Sequence, residues 1–393
     1  MVNGPPSYAA TSASGPSAQR PPLNGHRTSS VDAIARTKIL LLGLRRAGKT
    51  SIQQVLFNNL GPKQTFYLET TMRIVKHNFD TVIPLEIWDC PGNTTVETIG
   101  APLSQFATMI FVIDIRDLYN QPISRLVEFI VAAYQANPNM SLEVFVHKAE
   151  KLQEDDKIEN FRQIHERVAD RLLDISPEYE QVQLNFHLTS VYDHSLHEAF
   201  SKVLHKLVDS LPYLEDLLNV FCANSQSPKA FLFDTTSRLY IATDASPVDS
   251  ATFNLCCDYL QMLNSFGTLY KSATANARRP LPATPPPSSS STYSLSPVPT
   301  RTSDPSTPTT GTPSPPITNS GHELFYPSAS TSLHPSTPGT TLTYHLITPQ
   351  LALLALLPTS IYEGRRGLIE FNVVFFREGV QEICQVEKES RAG

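Results

Sequence analysis

The sequence predicts an α/β protein built on a mostly parallel sheet, and three observations carry that prediction. Strand-like and helix-like hydrophobic patterns alternate from Lys38 to about Ser210, the ordering of successive βαβ units. The run Thr108-Met109-Ile110-Phe111-Val112-Ile113-Asp114 is apolar on both faces, as a strand covered on both sides must be. Gly43-Leu44-Arg45-Arg46-Ala47-Gly48-Lys49-Thr50 follows the apolar run Lys38 to Leu42 and leads into a helical pattern. Its G-x-x-x-x-G-K-S/T spacing therefore stands between strand and helix, where a phosphate-binding loop requires it.

Taken in order, residues 1–35 are rich in Ser, Pro, Ala and Gly without apolar periodicity and read as a disordered leader. After the loop a helix is expected from Ser51 to Leu60, stopped by Gly61-Pro62. Arg73 to Phe79 and Ile83 to Asp89 are short strands close enough to pair as a hairpin. Leu142 to Val146 and Val182 to Leu188 are further strands, with helices at Ile123 to Tyr134 and Lys157 to Leu173 between them. In the second of these helices Ile158, Phe161, Ile164, Val168 and Leu172 share a face. The same spacing recurs from Leu196 to Leu207, and Leu211-Pro212 ends that helix, closing a first domain over 36–210.

A second domain, 211–393, opens with a helix at Leu214 to Phe221 and a hairpin joining Ala230–Phe233 to Leu239–Ala242. A helix at Asp249 to Phe266 follows. From 272 to 321 Ser, Thr and Pro dominate, a composition that buries too little apolar area to offset the entropy of ordering. That stretch reads as a disordered insertion, which a surface loop can carry at small entropic cost. Its Thr-Pro and Ser-Pro pairs, such as Thr284-Pro285 and Ser296-Pro297, are candidates for proline-directed phosphorylation. Strand patterns resume at Leu324 to Leu333, Thr341 to Ile347 and Leu351 to Leu357, and Gly367 to Val386 reads as a closing helix.

Composition narrows the function. Charged residues are 17% and prolines number 32 in 393 residues, which fits a partly disordered chain of two or three domains. A net charge of −6 gives no electrostatic case for nucleic acid or an anionic membrane. The five cysteines show neither disulfide nor metal-ligand spacing, so reduced thiols are expected. No apolar run approaches the ~18 residues of a membrane span, and no secretion or lipidation motif is present. A cytoplasmic protein without direct membrane insertion is expected, held at any membrane through partners.

The chemistry lies at strand ends. Gly43, Gly48 and the amides of Arg45, Arg46 and Ala47 would cradle phosphates, aided by the helix N-terminus at Ser51. Lys49 would reach the terminal phosphates, and Thr50 would supply a hydroxyl to Mg²⁺. Asp89-Cys90-Pro91-Gly92 ends a strand about 40 residues later. An Asp there can hold Mg²⁺ through water, and Gly92 can turn its N–H onto a γ-phosphate. Thr70 and Thr71 are candidates for the second hydroxyl on Mg²⁺, with Thr71 preferred. His147-Lys148-Ala149-Glu150 ends the next apolar strand, where His147, Lys148 and Glu150, with Ser190, are expected to face the base: a carboxylate can accept the two N–H groups of guanine while the Lys148 stem packs over the ring. Thr189-Ser190-Val191-Tyr192 ends the last strand, where the amides of Ser190 and Val191 can meet the base oxygen.

These signals in this order form the pattern of a regulatory GTPase. The phosphate loop, Leu68-Glu69-Thr70-Thr71, His147 to Glu150 and Thr189-Ser190-Val191-Tyr192-Asp193-His194-Ser195 resemble the Rag GTPases, in particular the RagC/RagD branch. Lys229 to Asp234, Tyr240 to Asp249 and Arg366 to Asn372 resemble that branch's C-terminal roadblock domain. The resemblance implies a P-loop GTPase domain followed by a roadblock-type α/β domain that carries the insertion. It also implies GTP/GDP and Mg²⁺ as cofactors and a heterodimer with a RagA/RagB-like GTPase. Further implications are a lysosomal or vacuolar scaffold complex and control of TORC1 by amino acids. Two departures stand out: Glu150 replaces an expected Asp, and Asn93 stands where GTPases commonly carry a water-positioning Gln. Slow intrinsic hydrolysis is therefore expected. A nucleotide-binding scaffold that hardly turns over, and a metabolic P-loop kinase or ATPase, are the competing readings; the second lacks a further catalytic base and a lid pattern.

Overall fold

The computed structural model describes residues 36–118, 120–270, 276–277, 324–333 and 339–392. It contains two principal sheets. The first has six strands: β1 (Thr37–Gly43), β2 (Val75–Asp80), β3 (Pro84–Asp89), β4 (Thr108–Asp114), β5 (Ser141–His147) and β6 (Leu184–Thr189). Their order is β2-β3-β1-β4-β5-β6. All pairs are parallel except the β2–β3 hairpin, so the expected hairpin and the expected parallel sheet both form. Helices α1 (Lys49–Phe57), α2 (Asn120–Ala136), α3 (Glu154–Ile175) and α4 (Ser195–His205) connect the strands. In α3 only Ile164, Val168 and Leu172 of the expected apolar stripe are buried, while Ile158 stays 64% exposed.

Helix α1 starts and stops earlier than the sequence pattern suggested. Gly48 ends the loop in a left-handed conformation, so Lys49 is already helical. At the other end Asn59 turns left-handed, which Asn tolerates better than most residues, and the helix is over before Gly61-Pro62. The next helix, α5 (Leu211–Ser225), begins at the residues read as a stop signal: Pro212 occupies its first turn, where the missing N–H is no loss.

The second sheet is antiparallel. It comprises β7 (Lys229–Asp234), β8 (Tyr240–Thr243), β11 (Ser328–Ser332), β12 (Thr340–Leu346) and β13 (Leu351–Pro358), in the order β11-β12-β13-β7-β8. Helix α6 (Ser250–Tyr270) covers one face, placing Phe253, Cys256, Cys257 and Leu260 against Phe231, Phe233 and Tyr344. On the other face lie α5 and α8 (Arg366–Ala392), with the short α7 (Thr359–Gly364) between β13 and α8. Leu218, Phe221, Val373 and Phe376 belong to one buried cluster with Leu232 and Leu353. The same cluster includes Leu56 and Phe200 of the first unit, so the two sheets share a continuous core through α4 and α5.

Two expectations around the insertion change. The strand read as Leu324 to Leu333 is two strands, β10 (Leu324–Phe325) and β11, separated at Tyr326-Pro327, because Pro327 has no N–H for the ladder. β10 pairs with β9 (Asn276–Ala277), so the stretch expected to be disordered from 272 includes a paired dipeptide. The rest of that stretch, the leader and Thr337-Pro338, a further candidate for proline-directed phosphorylation, lie outside the described residues.

Candidate nucleotide-binding site

Strand register brings the candidate residues to one edge. In the first sheet Leu41 lies beside Asp89, Gly43 beside Val112, Asp114 beside His147, and His147 beside Thr189. These are the C-terminal ends of parallel strands, the usual ligand edge of an open α/β sheet.

The phosphate-loop residues are held from within. Lys49 is buried, and its ammonium donates to the carbonyls of Gly43 (2.8 Å) and Leu44 (3.0 Å). Burial lowers its pKa, opposed by the charges of Asp89 and Cys90. Gly48 has φ +113°, and a Cβ there would stand 2.5 Å from Cδ2 of His147. The His147 ring thus lies directly beneath the loop. It is 1% exposed, and its Nδ1 is 2.9 Å from Thr189 Oγ1. Burial, with the Lys148 charge beside it, lowers its pKa to about 3, so the ring is neutral. Gly92 also approaches the loop closely: a Cβ on it would lie 2.2 Å from the Arg45 nitrogen. Arg45 and Arg46 point to solvent, Ala47 is buried, and Ser51 lies in the first turn of α1.

Thr50, Thr71 and Asp89 meet. Thr50 Oγ1 is 2.8 Å from Thr71 Oγ1 and donates to Asp89 Oδ2 at 2.6 Å; Thr71 Oγ1 donates to the same oxygen at 3.1 Å. Thr70 is exposed and takes no part. Asp89 is 1% exposed, and its Oδ1 has no hydrogen-bond partner among the described residues. A buried, unpartnered carboxylate oxygen is costly unless something satisfies it. Two hydroxyls and a carboxylate are the hard oxygen donors that Mg²⁺ takes alongside phosphate and water. Among the described residues no cluster of three His, Cys, Asp or Glu side chains could hold a metal by itself, which leaves phosphate oxygens to complete such a shell.

At the base end, Lys148 adopts φ +66° and donates to the Arg46 carbonyl and to Asp114 Oδ2 at 2.8 Å. Burial would raise the pKa of Asp114, but hydrogen bonds from Arg116 and Lys148 outweigh it and bring the pKa down to about 2. Glu150 accepts a 2.7 Å hydrogen bond from Ser190 Oγ, which also accepts the Tyr192 N–H; the Ser190 N–H donates to Ser195 Oγ. Val191 is buried in the core behind them. Asn93 is exposed beyond Gly92. Sequence reasoning gave no role to Asp114, Arg116 or Ser195, whose signals were weak: an acid closing an apolar strand, a neighbouring cation, and a serine six residues past the strand end.

The Gtr1/RagA G protein conserved region matches residues 38–260. The chain is 42% identical over 237 residues to the GTP-binding protein gtr2 of Schizosaccharomyces pombe, covering 59% of this chain and 75% of that one. It is 36% identical over 358 residues to the mouse Ras-related GTP-binding protein C, covering 90% and 78% respectively. To GTR2 of Saccharomyces cerevisiae it is 36% identical over 248 residues, covering 60% and 70%. Among the described residues no helix is long and apolar enough to cross a membrane. With its phosphate loop, its Thr50–Thr71–Asp89 cluster and these relatives, the chain belongs to the Gtr1/RagA family of GTP-binding proteins, in the branch of gtr2 and Ras-related GTP-binding proteins C and D.

Proposed function

We propose that this chain is a GTP/GDP switch that pairs with a RagA/RagB-like GTPase and controls TORC1 at the lysosomal or vacuolar surface. The observation that carries the switch is the cluster of Thr50, Thr71 and Asp89. It joins the start of α1, the segment after residue 67 and the end of β3 at one point. A Mg²⁺ ion there would be held by Thr50, Thr71 and Asp89 and would neutralise phosphate charge. Thr71 and Gly92 lie on segments able to respond to a third phosphate, the order–disorder device of GTPase switches. Gly43, Gly48, Lys49 and the amides of Arg45, Arg46 and Ala47 would hold the phosphates; Lys148, Glu150 and the Val191 amide would face the guanine, with the Ser190 hydroxyl holding Glu150 and His147 supporting the loop.

The pairing, the scaffold and the kinase rest on the resemblance to the RagC/RagD branch. The second unit is compatible with a roadblock domain, an antiparallel sheet between α6 and the α5–α8 pair. Among the described residues its outermost strand on one side is β11, which is half exposed.

The nucleotide that co-purifies with the native complex, followed by competition with GTP and ATP, tests the reading. Bound guanine nucleotide and a RagA/RagB-like subunit are expected; displacement by ATP at equal concentration refutes it. A second reading, a scaffold that binds nucleotide without efficient turnover, draws on the exposed Asn93. Bound GTP that persists even with an activating protein would favour it.

A further inference from the structure

Helix α4 joins the base end of the nucleotide site to the second unit. Its first residue, Ser195, accepts the Ser190 N–H at 3.0 Å through Oγ, and Ser190 Oγ in turn donates to Glu150 at 2.7 Å. Farther along, Ser201 Oγ accepts the Tyr240 N–H of β8 at 3.0 Å, and His205 Nε2 donates to the Tyr240 carbonyl at 3.2 Å. Leu196 and Phe200 of α4 share one buried cluster with Val191, behind the base, and with Leu239 and Ile241 of the second unit. Close packing of this kind transmits displacement rather than absorbing it.

The head of α4 makes a further contact that crosses between the units. His194 caps the helix, its carbonyl accepting the Glu198 N–H at 3.0 Å. Its Nε2 donates to Asp258 Oδ1 on α6 at 2.9 Å, 64 positions away in sequence. The His194 side chain is 17% exposed and that of Asp258 70%, so the ring is held in the seam and the carboxylate reaches it from the surface of α6. The irregular segment between β6 and α4, residues 190–194, is therefore tied at both ends: Ser190 to Glu150 and Ser195, His194 to Asp258.

We propose that His194 and Asp258 are positioning residues for the guanine pocket, through which the second unit sets how tightly the first holds its nucleotide. The proposal rests on the base lying at Glu150 and the Val191 amide. Neither His194 nor Asp258 touches the nucleotide; they act by holding the segment that does. Without the Asp258 contact the segment samples more conformations, and ordering the Val191 amide and the Ser190 hydroxyl again on each binding event weakens affinity. Linkage makes the effect reciprocal: a guanine nucleotide that orders this segment also strengthens the hold of α4 on α6.

Release of N-methylanthraniloyl-GDP from the full chain, chased with excess GDP, tests this. Asp258→Ala and His194→Ala should each speed release about two- to fivefold, the range of one partly exposed polar pair, and the double variant should be no faster than either. His194→Gln keeps an amide donor near the Nε2 position and should recover most of the difference. Asp258→Ala changes an exposed side chain and keeps the test decisive if His194→Ala is unstable. Release unchanged by both single substitutions while Ser190→Ala still accelerates it overturns the proposal; release unchanged by all three overturns the placement of the base, and the proposal with it. Single effects that multiply in the double variant overturn it as well, because two residues acting through one contact cannot act independently. A lowered denaturant midpoint without faster release assigns the contact to stability alone and likewise overturns it.

Discussion

Substitution of Gly48 by Ala tests the placement of His147 beneath the phosphate loop. Two penalties follow from the geometry. At φ +113° any L side chain is strained by about 1–2 kcal/mol. The new Cβ would also stand 2.5 Å from His147 Cδ2 and 3.0 Å from Nε2. His147 has little room to retreat, being 1% exposed and held by Thr189, so overpacking adds about 1–3 kcal/mol. Gly48→Ala should therefore destabilise by about 2–5 kcal/mol, read from the denaturant midpoint without nucleotide, so that lost ligand stabilisation does not enter. In a His147→Ala background the overlap is gone and only the strain remains. The cycle should then show a coupling of about 1–3 kcal/mol. A penalty for Gly48→Ala equal in both backgrounds refutes the contact, and a loss under about 1 kcal/mol in the parent refutes the strain as well.

Other perturbations probe separate parts of the site. Asp89→Asn removes the charge that accepts from Thr50 and Thr71. A hydrogen bond to a charged group contributes about 1.5–3 kcal/mol, so Mg²⁺-dependent retention of GTP should weaken by at least about tenfold while retention in EDTA changes little; equal loss in both removes Asp89 from the metal. Ser190→Ala frees Glu150 from its 2.7 Å partner and should weaken GDP more than IDP, which lacks the 2-amino group that a carboxylate would hold; equal weakening argues against Glu150 facing the base. In single-turnover hydrolysis, Asn93→Gln should raise the rate, and no change with either Asn93→Gln or Asn93→Ala excludes this side chain from the reaction. Burial lowers the pKa of four histidines, His147 to about 3, His205 and His345 to about 4, and His197 in the same direction, so below pH 6.5 the unfolded chain binds more protons. Their stabilisation is complete above that pH and falls by about 1.4 kcal/mol per unit for each histidine as pH drops toward 4. Denaturation at stepped pH should show the summed slope, and His345→Gln should reduce it by roughly a quarter; an unchanged slope refutes the buried, neutral state of His345.

The sheet of the first unit was legible because its signals are local. Thr108–Asp114 is apolar on both faces and forms a buried strand with the bounds expected, since covered strands need no alternation. Boundaries were less legible where one residue type serves two purposes. Pro212 reads as a terminator and in fact opens α5, because proline suits a first turn as well as a stop. The closing helix α8 continues past Val386 to Ala392 through a polar stretch whose apolar spacing had ended; Arg391 there pairs with Glu387 one turn back.

Local pattern by itself specified the candidate phosphate loop, since the roles proposed for Gly43, Gly48, Lys49 and Thr50 depend on backbone and spacing within eight consecutive residues. It also determined the alternation of strand and helix, which depends on hydrophobic period alone. Only the tertiary structure decided between Thr70 and Thr71, because adjacent residues of an irregular segment point in different directions and only Thr71 reaches Asp89. It alone placed His147 under Gly48, coupled Lys148 to Asp114 and held Glu150 on Ser190. Those contacts join residues 34 to 99 positions apart in sequence, and strand order and register, which no local window contains, bring them together.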